Sequence, residues 1–357
     1  MKKIILTGGG SAGHTTPNLA LLPYLKKDGY EIHYIGSETG IEKDIISKYP
    51  EIKYHGIKSG KLRRYFSWKN FTDPFKVVEG YFQAKKLVKE IKPNIVFSKG
   101  GFVTVPVTKA AHACRVPVVS HESDISIGLA NKISKKYSKH ICLTFPDVLK
   151  EIPSPIGIYT GSPIRAELYA GNPQKAREFL KFDSKPVLLM MGGSLGAKVV
   201  NEALRKALPE LLKNLNIVHL CGKGHLDQSL KETKGYAQFE YISDELPDIM
   251  TLSQYILSRA GSNSIHEFLA LQKPMLLIPL PISVSRGDQI LNAKSFEKRN
   301  FAITLEEEKL TPELLIKGIE ELRQKAHTLT SAMKNEPNSD GTQAIYEVIK
   351  KSASGQT

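Results

Sequence analysis

The residue with the clearest chemical potential is His14. It closes the run Gly8-Gly9-Gly10-Ser11-Ala12-Gly13, which follows the apolar stretch Ile4-Ile5-Leu6-Thr7. Behind it stands Thr15-Thr16-Pro17-Asn18, where a helix should begin. A strand, a glycine-rich turn and a helix start together aim backbone N–H groups and a positive dipole end at one point, which suits a phosphate or another anion. A tight strand-to-helix turn would also use these glycines, but it does not call for an imidazole at the rim. A histidine there titrates near neutrality and can take a proton from a hydroxyl.

The same pattern recurs as Val187-Leu188-Leu189-Met190-Met191-Gly192-Gly193-Ser194-Leu195-Gly196-Ala197. Gly9, Gly10, Ser11, Gly13, Asn18, Ala20 and Leu21 reappear as Gly192, Gly193, Ser194, Gly196, Asn201, Ala203 and Leu204. Fainter echoes link Ser98-Lys99-Gly100-Gly101 with Ser258-Arg259-Ala260-Gly261, and Val116–Val119 with Lys273–Leu276. A repeat of this length implies two similar α/β domains. Ala197 stands where the first copy has His14, so the chemistry is expected in the first half.

Further polar corners follow apolar runs: Gly100-Gly101-Phe102 after Ile95-Val96-Phe97, and His121-Glu122-Ser123-Asp124 after Val116–Ser120. In open parallel sheets ligands gather at the carboxyl ends of strands. His14, Gly100-Gly101 and His121 to Asp124 are therefore expected to converge. In the second half, Glu267 lies early in a helix after Arg259-Ala260-Gly261, as a cap for backbone donors or an acceptor for ribose hydroxyls. Gln289 opens another helix within Gly287–Ala293.

Alternating elements must hold these corners. Helix is expected over 17–28, 41–48 and 74–91, and strand over Tyr30–Ile35 and Ile52–Ile57. In the second half strands are expected at Val187–Met191, Asn216–Leu220, 239–242, 255–257 and 275–279. The region 306–335 reads as solvated helix, and Thr342–Lys351 as the last helix. The βαβ rhythm predicts parallel sheets with right-handed crossovers. Pro153, Pro155 and Pro163 break regular structure and place a linker near 160–166.

A chain of 357 residues is long enough for two cores. Cys114, Cys142 and Cys221 are scattered and show neither zinc spacing nor a disulfide framework, which points to a reducing compartment and to no metal site. Two lysines lead straight into the first strand, leaving no room for a signal peptide. No apolar run approaches the roughly 18–20 residues that span a bilayer. The net charge of +14 calls for an anionic partner: nucleic acid, lipid or a phosphorylated small molecule. No zinc finger, RNA-binding signature or helix-turn-helix favours nucleic acid.

Residues 58–92 hold ten basic residues against three acidic ones, interleaved with aromatics that include the sole tryptophan, Trp68. Lysines beside rings suit an anionic membrane surface, and Lys61, Arg63, Arg64, Trp68 and Phe71 are the candidates for that contact. Within the following helix Phe75, Val78 and Phe82 either pack on the sheet or share in the docking face. The Gly8–Gly13 spacing also fits a dinucleotide fingerprint, but the acid expected at the end of the second strand is absent near Ile35-Gly36, and Glu38 comes late.

Taken together, Gly8–His14, Gly100-Gly101-Phe102-Val103, His121-Glu122, Gly161-Ser162-Pro163-Ile164-Arg165, Gly192–Ala197, Ser264–Glu267 and Gln289–Ala293 resemble the MurG family, and the resemblance covers essentially the whole chain. It implies a GT-B fold, α/β, with two Rossmann-like domains carrying parallel sheets across a deep cleft. The domains would be 1–163, for the acceptor and membrane, and 164–339, for the donor, with a helix at about 340–357 packing back on the first. It implies an inverting N-acetylglucosamine transferase that completes the lipid-linked disaccharide of peptidoglycan. Arg165, Ser194, Ile242, Glu267 and Gln289 would hold UDP-N-acetylglucosamine, with Ser194 at the diphosphate, Ile242 at uracil and Glu267 at the ribose. Ser11 to Gly13 would approach the donor from the facing domain, and His14 would deprotonate the acceptor's C4 hydroxyl. Gly9, Gly10, Gly100, Gly101, Phe102 and Asp124 would form the acceptor and diphosphate loops.

No cofactor and no obligatory metal are implied. The expected partners are UDP-N-acetylglucosamine, an undecaprenyl-linked acceptor, the anionic cytoplasmic face of the membrane, and cell-wall synthesis and division proteins. Phe102 stands where some members have tyrosine, Asp124 where some have asparagine, and Asp288 where a pair can be two glutamines. Alternatives are a GT-B transferase acting on a diacylglycerol or a small aglycone, a nucleotide-sugar epimerase, and a nucleotide-sugar-binding protein without turnover.

Overall fold

The computed structural model describes residues 1–60, 69–193 and 196–355, with 69–74 as backbone only. Lys61, Arg63, Arg64, Trp68 and Ser194 lie outside the described residues, and Phe71 is described only as helical backbone. Two compact units divide the chain: residues 1–164 with 340–357, and residues 165–339.

In the first unit the strands are β1 (Lys2–Thr7), β2 (Tyr30–Ser37), β3 (Ile52–Ile57), β4 (Ile95–Ser98), β5 (Val118–Glu122), β6 (His140–Leu143) and β7 (Gly157–Tyr159). They form one sheet in the order β3-β2-β1-β4-β5-β6-β7, parallel throughout. The helices are α1 (Thr16–Leu19), α2 (Leu22–Lys27), α3 (Ile41–Ile46), α4 (Lys69–Ile91), α5 (Thr104–Ala113) and α6 (Leu129–Ser134). β1, β2 and β4 are apolar on both faces because both faces are covered. Ile4, Leu6, Ile32, Tyr34 and Phe97 pack on one side. Ile5, Ile35 and Val96 pack on the other, against Ala84, Val88 and Ile91 of α4 and Val107, Ala110 and Ala111 of α5.

The second unit has β8 (Val187–Met191), β9 (Asn216–Leu220), β10 (Tyr236–Phe239), β11 (Tyr255–Ser258), β12 (Met275–Leu277) and β13 (Ala302–Thr304). Its sheet runs β10-β9-β8-β11-β12-β13, again parallel. Around it lie α7 (Pro173–Leu180), α8 (Lys198–Leu211), α9 (Leu246–Leu252), α10 (Ser262–Ala270), α11 (Asp288–Lys298) and α12 (Pro312–Lys334). The last helix, α13 (Thr342–Ala353), belongs to the first unit, where Ile345, Tyr346 and Ile349 complete a core face. Ile164 N–H donates to Thr342 Oγ1 at 2.8 Å, Gly341 N–H to the Ser162 carbonyl at 2.8 Å, and the Tyr346 hydroxyl to the Asp28 carboxylate.

Several elements depart from the sequence reading. The helix expected over 17–28 is broken into α1 and α2, because Pro23 has no N–H to give to the Leu19 carbonyl. The strand expected at Val116–Ser120 lies at Val118–Glu122, so His121 and Glu122 are strand residues paired with Cys142 and Leu143. The strand expected at 239–242 is instead Tyr236–Phe239. Its pairing ends where β9 ends, at Phe239 opposite Leu220. α12 is not solvated all round, since it buries Leu315, Ile319, Leu322, Leu329 and Met333 at helical spacing.

Candidate active site

Three corners of the first unit meet at the carboxyl ends of β1, β4 and β5. The turn after β1 runs through Gly10, in the left-handed region at φ +84°, to a short 3-10 turn over Ala12–His14. Ser11, Ala12 and Gly10 are exposed, Gly13 and His14 are half-buried, and Gly9 is buried. Side chains sew the turn together: Thr15 Oγ1 donates to the Ser11 carbonyl at 3.2 Å, and the Tyr34 hydroxyl to the Gly8 carbonyl at 2.7 Å. The Gly10 amide is not left for a phosphate. It donates to Glu42 Oε2 at 3.2 Å, while Glu42 Oε1 accepts from the Ser37 amide at 2.9 Å.

The turn after β4 interlocks with the first. Gly100 and Gly101 both sit at φ +91°, where L side chains are strained. A Cβ on Gly101 would strike the Gly9 carbonyl. A Cβ on Gly100 would stand 3.7 Å from His14 Nδ1 and 3.6 Å from Asn131 Oδ1. Both of those atoms are buried without a hydrogen-bond partner among the described residues. Phe102 is half-buried just beyond, and Thr104 N–H closes the turn on the Gly101 carbonyl at 3.1 Å. Burial holds the His14 ring well below its ordinary value, at about 4, and the Lys99 charge pushes the same way; the Lys99 backbone and the Glu42 carboxylate pull upward. The ring is therefore neutral at neutral pH, the form that accepts a proton.

The third corner supports the other two from within, and of its residues Asp124 is only half-buried. His121 is fully buried, with Nδ1 2.9 Å from Lys99 Nζ and Nε2 3.3 Å from the Gly161 carbonyl. Asn131 Nδ2 donates to the His121 carbonyl at 3.0 Å and to Glu122 Oε2 at 2.9 Å. Asp124, half-buried, donates its amide to Glu122 Oε1 at 3.2 Å. Desolvation raises the Glu122 carboxyl above the usual range, against the hydrogen bonds from Asn131 and Gly128. Glu42, Lys99 and Asn131 escaped the sequence reading. They are ordinary polar residues there, and only their complete burial marks them.

In the second unit Arg165 donates to Glu267 Oε1 from Nε at 3.1 Å, and its Nη2 lies 3.1 Å from the same oxygen. Glu267 is thus ion-paired on α10 and does not cap it, with Glu167 3.8 Å from the same arginine. Burial raises the Glu267 carboxyl, and Arg165 opposes the rise. Gln289 Oε1 accepts from the Leu280 amide at 3.1 Å, and Ser285 Oγ donates to the Pro281 carbonyl at 2.8 Å, tying down the loop before α11. Ile242 is buried just past β10, beside the exposed Tyr241. Gly193, at φ +86°, repeats the left-handed backbone of Gly10, and a Cβ on Gly196, at φ +76°, would strike the Cys221 carbonyl.

On α4, Phe75, Val78 and Phe82 are 77%, 56% and 62% exposed. They do not pack on the sheet, which α4 meets through Ala84, Val88 and Ile91. Among the described residues no helix is long and apolar enough to cross a membrane.

Known proteins share both halves of this arrangement. Residues 4–143 match the glycosyltransferase family 28 N-terminal domain, and residues 187–350 the family's C-terminal domain. A Clostridium tetani protein is 53% identical over 351 residues, covering 98% of each chain. It is named a UDP-N-acetylglucosamine--N-acetylmuramyl-(pentapeptide) pyrophosphoryl-undecaprenol N-acetylglucosamine transferase. A Clostridium botulinum protein of the same name is 55% identical over 352 residues, covering 98% of this chain and 99% of its own. The crystal structure of Acinetobacter baumannii MurG superposes with a TM-score of 0.77 at 26% identity, covering 98% of this chain and all of that one. The chain is a glycosyltransferase of GT-B architecture, and it belongs to the MurG family of N-acetylglucosamine transferases.

Proposed function

We propose that this chain moves N-acetylglucosamine from UDP-N-acetylglucosamine to the C4 hydroxyl of undecaprenyl-diphosphate-linked N-acetylmuramoyl-pentapeptide. The acceptor oxygen attacks the anomeric carbon, its proton passes to His14, and the bond to UDP breaks with the electron pair leaving on the diphosphate. Attack opposite the leaving group converts the α-linked donor into a β-linked product. The observation that carries this reading is a neutral imidazole packed over Gly100, at the strand ends of the unit whose relatives carry this transferase name. Only in its neutral form can His14 act as a base.

The donor is assigned to the second unit. Arg165 occupies one oxygen of Glu267, which leaves the other for ribose hydroxyls. Gln289 spends its carbonyl on the Leu280 amide, which keeps its NH₂ for the donor. Ser194 is assigned to the diphosphate, and the backbone at Ile242 to uracil. Ser11, Ala12 and Gly13 are assigned to donor binding, and Gly9, Gly10, Gly100, Gly101, Phe102 and Asp124 to the acceptor. The exposed rings of α4 support docking on anionic lipid at the cytoplasmic face of the membrane, with Lys61, Arg63, Arg64, Trp68 and Phe71 as further contacts.

The test is transfer of radiolabel from UDP-N-acetylglucosamine to a short-chain lipid acceptor, beside His14→Ala. Label on the lipid in the wild type, with normal donor binding and lost transfer in the variant, supports reaction and base together. Donor binding without transfer to this acceptor would overturn the acceptor assignment.

A further inference from the structure

Lys99 is among the largest fully buried side chains of the protein, at 1% exposure. A buried ammonium without partners would be costly, so its partners show what the fold keeps it for. Its Nζ lies 2.9 Å from His121 Nδ1 and donates to Ser123 Oγ. Its amide donates to the Thr7 carbonyl at 2.8 Å, so the residue ties the end of β1 to β4 and reaches across to β5. The next residue, Gly100, is the surface on which His14 Nδ1 rests, and Gly101 is wedged against Gly9. One residue thus connects all three corners.

The hydrogen bonds set a tautomer. An ammonium can only donate, so His121 Nδ1 accepts and Nε2 carries the proton. Nε2 is then the donor to the Gly161 carbonyl at 3.3 Å, with Thr144 Oγ1 3.2 Å away.

We propose that Lys99 is a positioning residue of the His14 site. Its ammonium, anchored on His121 and Ser123, fixes the glycine turn under the imidazole and adds a positive charge to its surroundings. The proposal rests on the reading of His14 as the base. The charged groups around Lys99 are Glu122 and Asp124, which favour its charged form, with the Cys142 thiol beside them. Those acting on His14 are Lys99 itself and, in the opposite sense, Glu42. Burial lowers Lys99 to about 8, so most of its charge survives at neutral pH.

The experiment is an NMR titration of the histidine rings in the full-length protein and in Lys99→Met, paired with the pH profile of transfer. In the wild type His121 is expected as the Nε2–H tautomer. In Lys99→Met that preference should be lost, and the His14 midpoint should rise by roughly one pH unit. The acid limb of kcat/KM should rise with it, and KM for the donor should stay unchanged. An unaltered His14 midpoint and His121 tautomer would overturn the proposal. Should His14→Ala retain transfer, the base assignment fails, yet the ring titrations still decide whether Lys99 sets the His14 charge state. If Lys99→Met does not fold, the wild type carries the test: the His121 ring signals must follow a transition near pH 8, and their constancy there would refute the Lys99–His121 contact.

Discussion

Glu42 reaches back from α3 to the first glycine turn, its Oε2 accepting from the Gly10 amide at 3.2 Å. Its other oxygen takes the Ser37 amide at 2.9 Å and hydroxyl at 2.5 Å, and the residue is wholly buried. Glu42→Ala would leave three donors unmet, and the two on half-buried Ser37 would cost about 1–3 kcal/mol each as orphans. Urea unfolding should show a loss of at least about 2 kcal/mol. Transfer at saturating substrate should fall, because the turn carrying His14 loses its anchor.

The two glycine turns predict a contrast. Gly10 and Gly101 are both left-handed, at φ +84° and +91°, but a Cβ on Gly10 meets nothing within 4 Å, while one on Gly101 meets the Gly9 backbone. Gly10→Ala should cost only its backbone strain, about 1 kcal/mol. Gly101→Ala should cost several times more and abolish transfer. Thermal unfolding of the two variants side by side decides it.

The acid side should be unusually forgiving for a histidine base. With His14 held at about 4, kcat/KM should stay flat from pH 7 to about 5 and fall only as the ring charges near pH 4. Stability responds earlier. His219, between Tyr236 and Asn201, is held at about 3 by burial, with Arg205 acting the same way. An unfolded histidine titrates near 6.5, so the stability contributed by these two neutral rings is complete above that value and is lost as pH falls toward 4 and 3. Burial-raised Glu122 and Glu267 act in the opposite sense. Urea midpoints from pH 7 to 5 should decline in the wild type and decline less in His219→Gln.

Arg165 and Glu267 should fail together. Arg165→Met leaves a buried carboxylate without its cation, and Glu267 should then take up a proton and lose its grip on ribose hydroxyls. Calorimetric titration with UDP should show a weakening of about tenfold or more, equivalent to roughly 1.4 kcal/mol. Arg165→Met combined with Glu267→Gln should bind UDP no worse than Glu267→Gln alone.

The exposed rings of α4 should matter to lipid and not to folding. Phe75→Ser and Phe82→Ser remove side chains that are 77% and 62% exposed, so unfolding should shift by no more than about 0.5 kcal/mol. Binding to vesicles containing phosphatidylglycerol should weaken by about tenfold for each ring, since burying a phenylalanine contributes about 1.5–3 kcal/mol. Equal binding by wild type and the double variant would remove α4 from the membrane contact.

The sequence determined the doubled α/β plan and the positions of the glycine turns, because apolar runs punctuated by glycine are local signals of strand and turn. His14 stood out because it lies within the first turn and Ala197 replaces it in the second. Strand limits were less legible. Whether His121 lies inside β5 depends on β6, which is distant in sequence, and the end of β10 depends on the length of β9. Glu42, Lys99 and Asn131 were invisible for a related reason: their roles come from burial among residues far along the chain, and a polar residue carries no local mark of being buried. Phe75, Val78 and Phe82 are the converse case. Their spacing fits a helix face pointing either way, and only the packing of Ala84, Val88 and Ile91 on the sheet turned that face outward. Local chemistry thus set which elements form, while the partners each polar or aromatic side chain meets were decided by the tertiary fold.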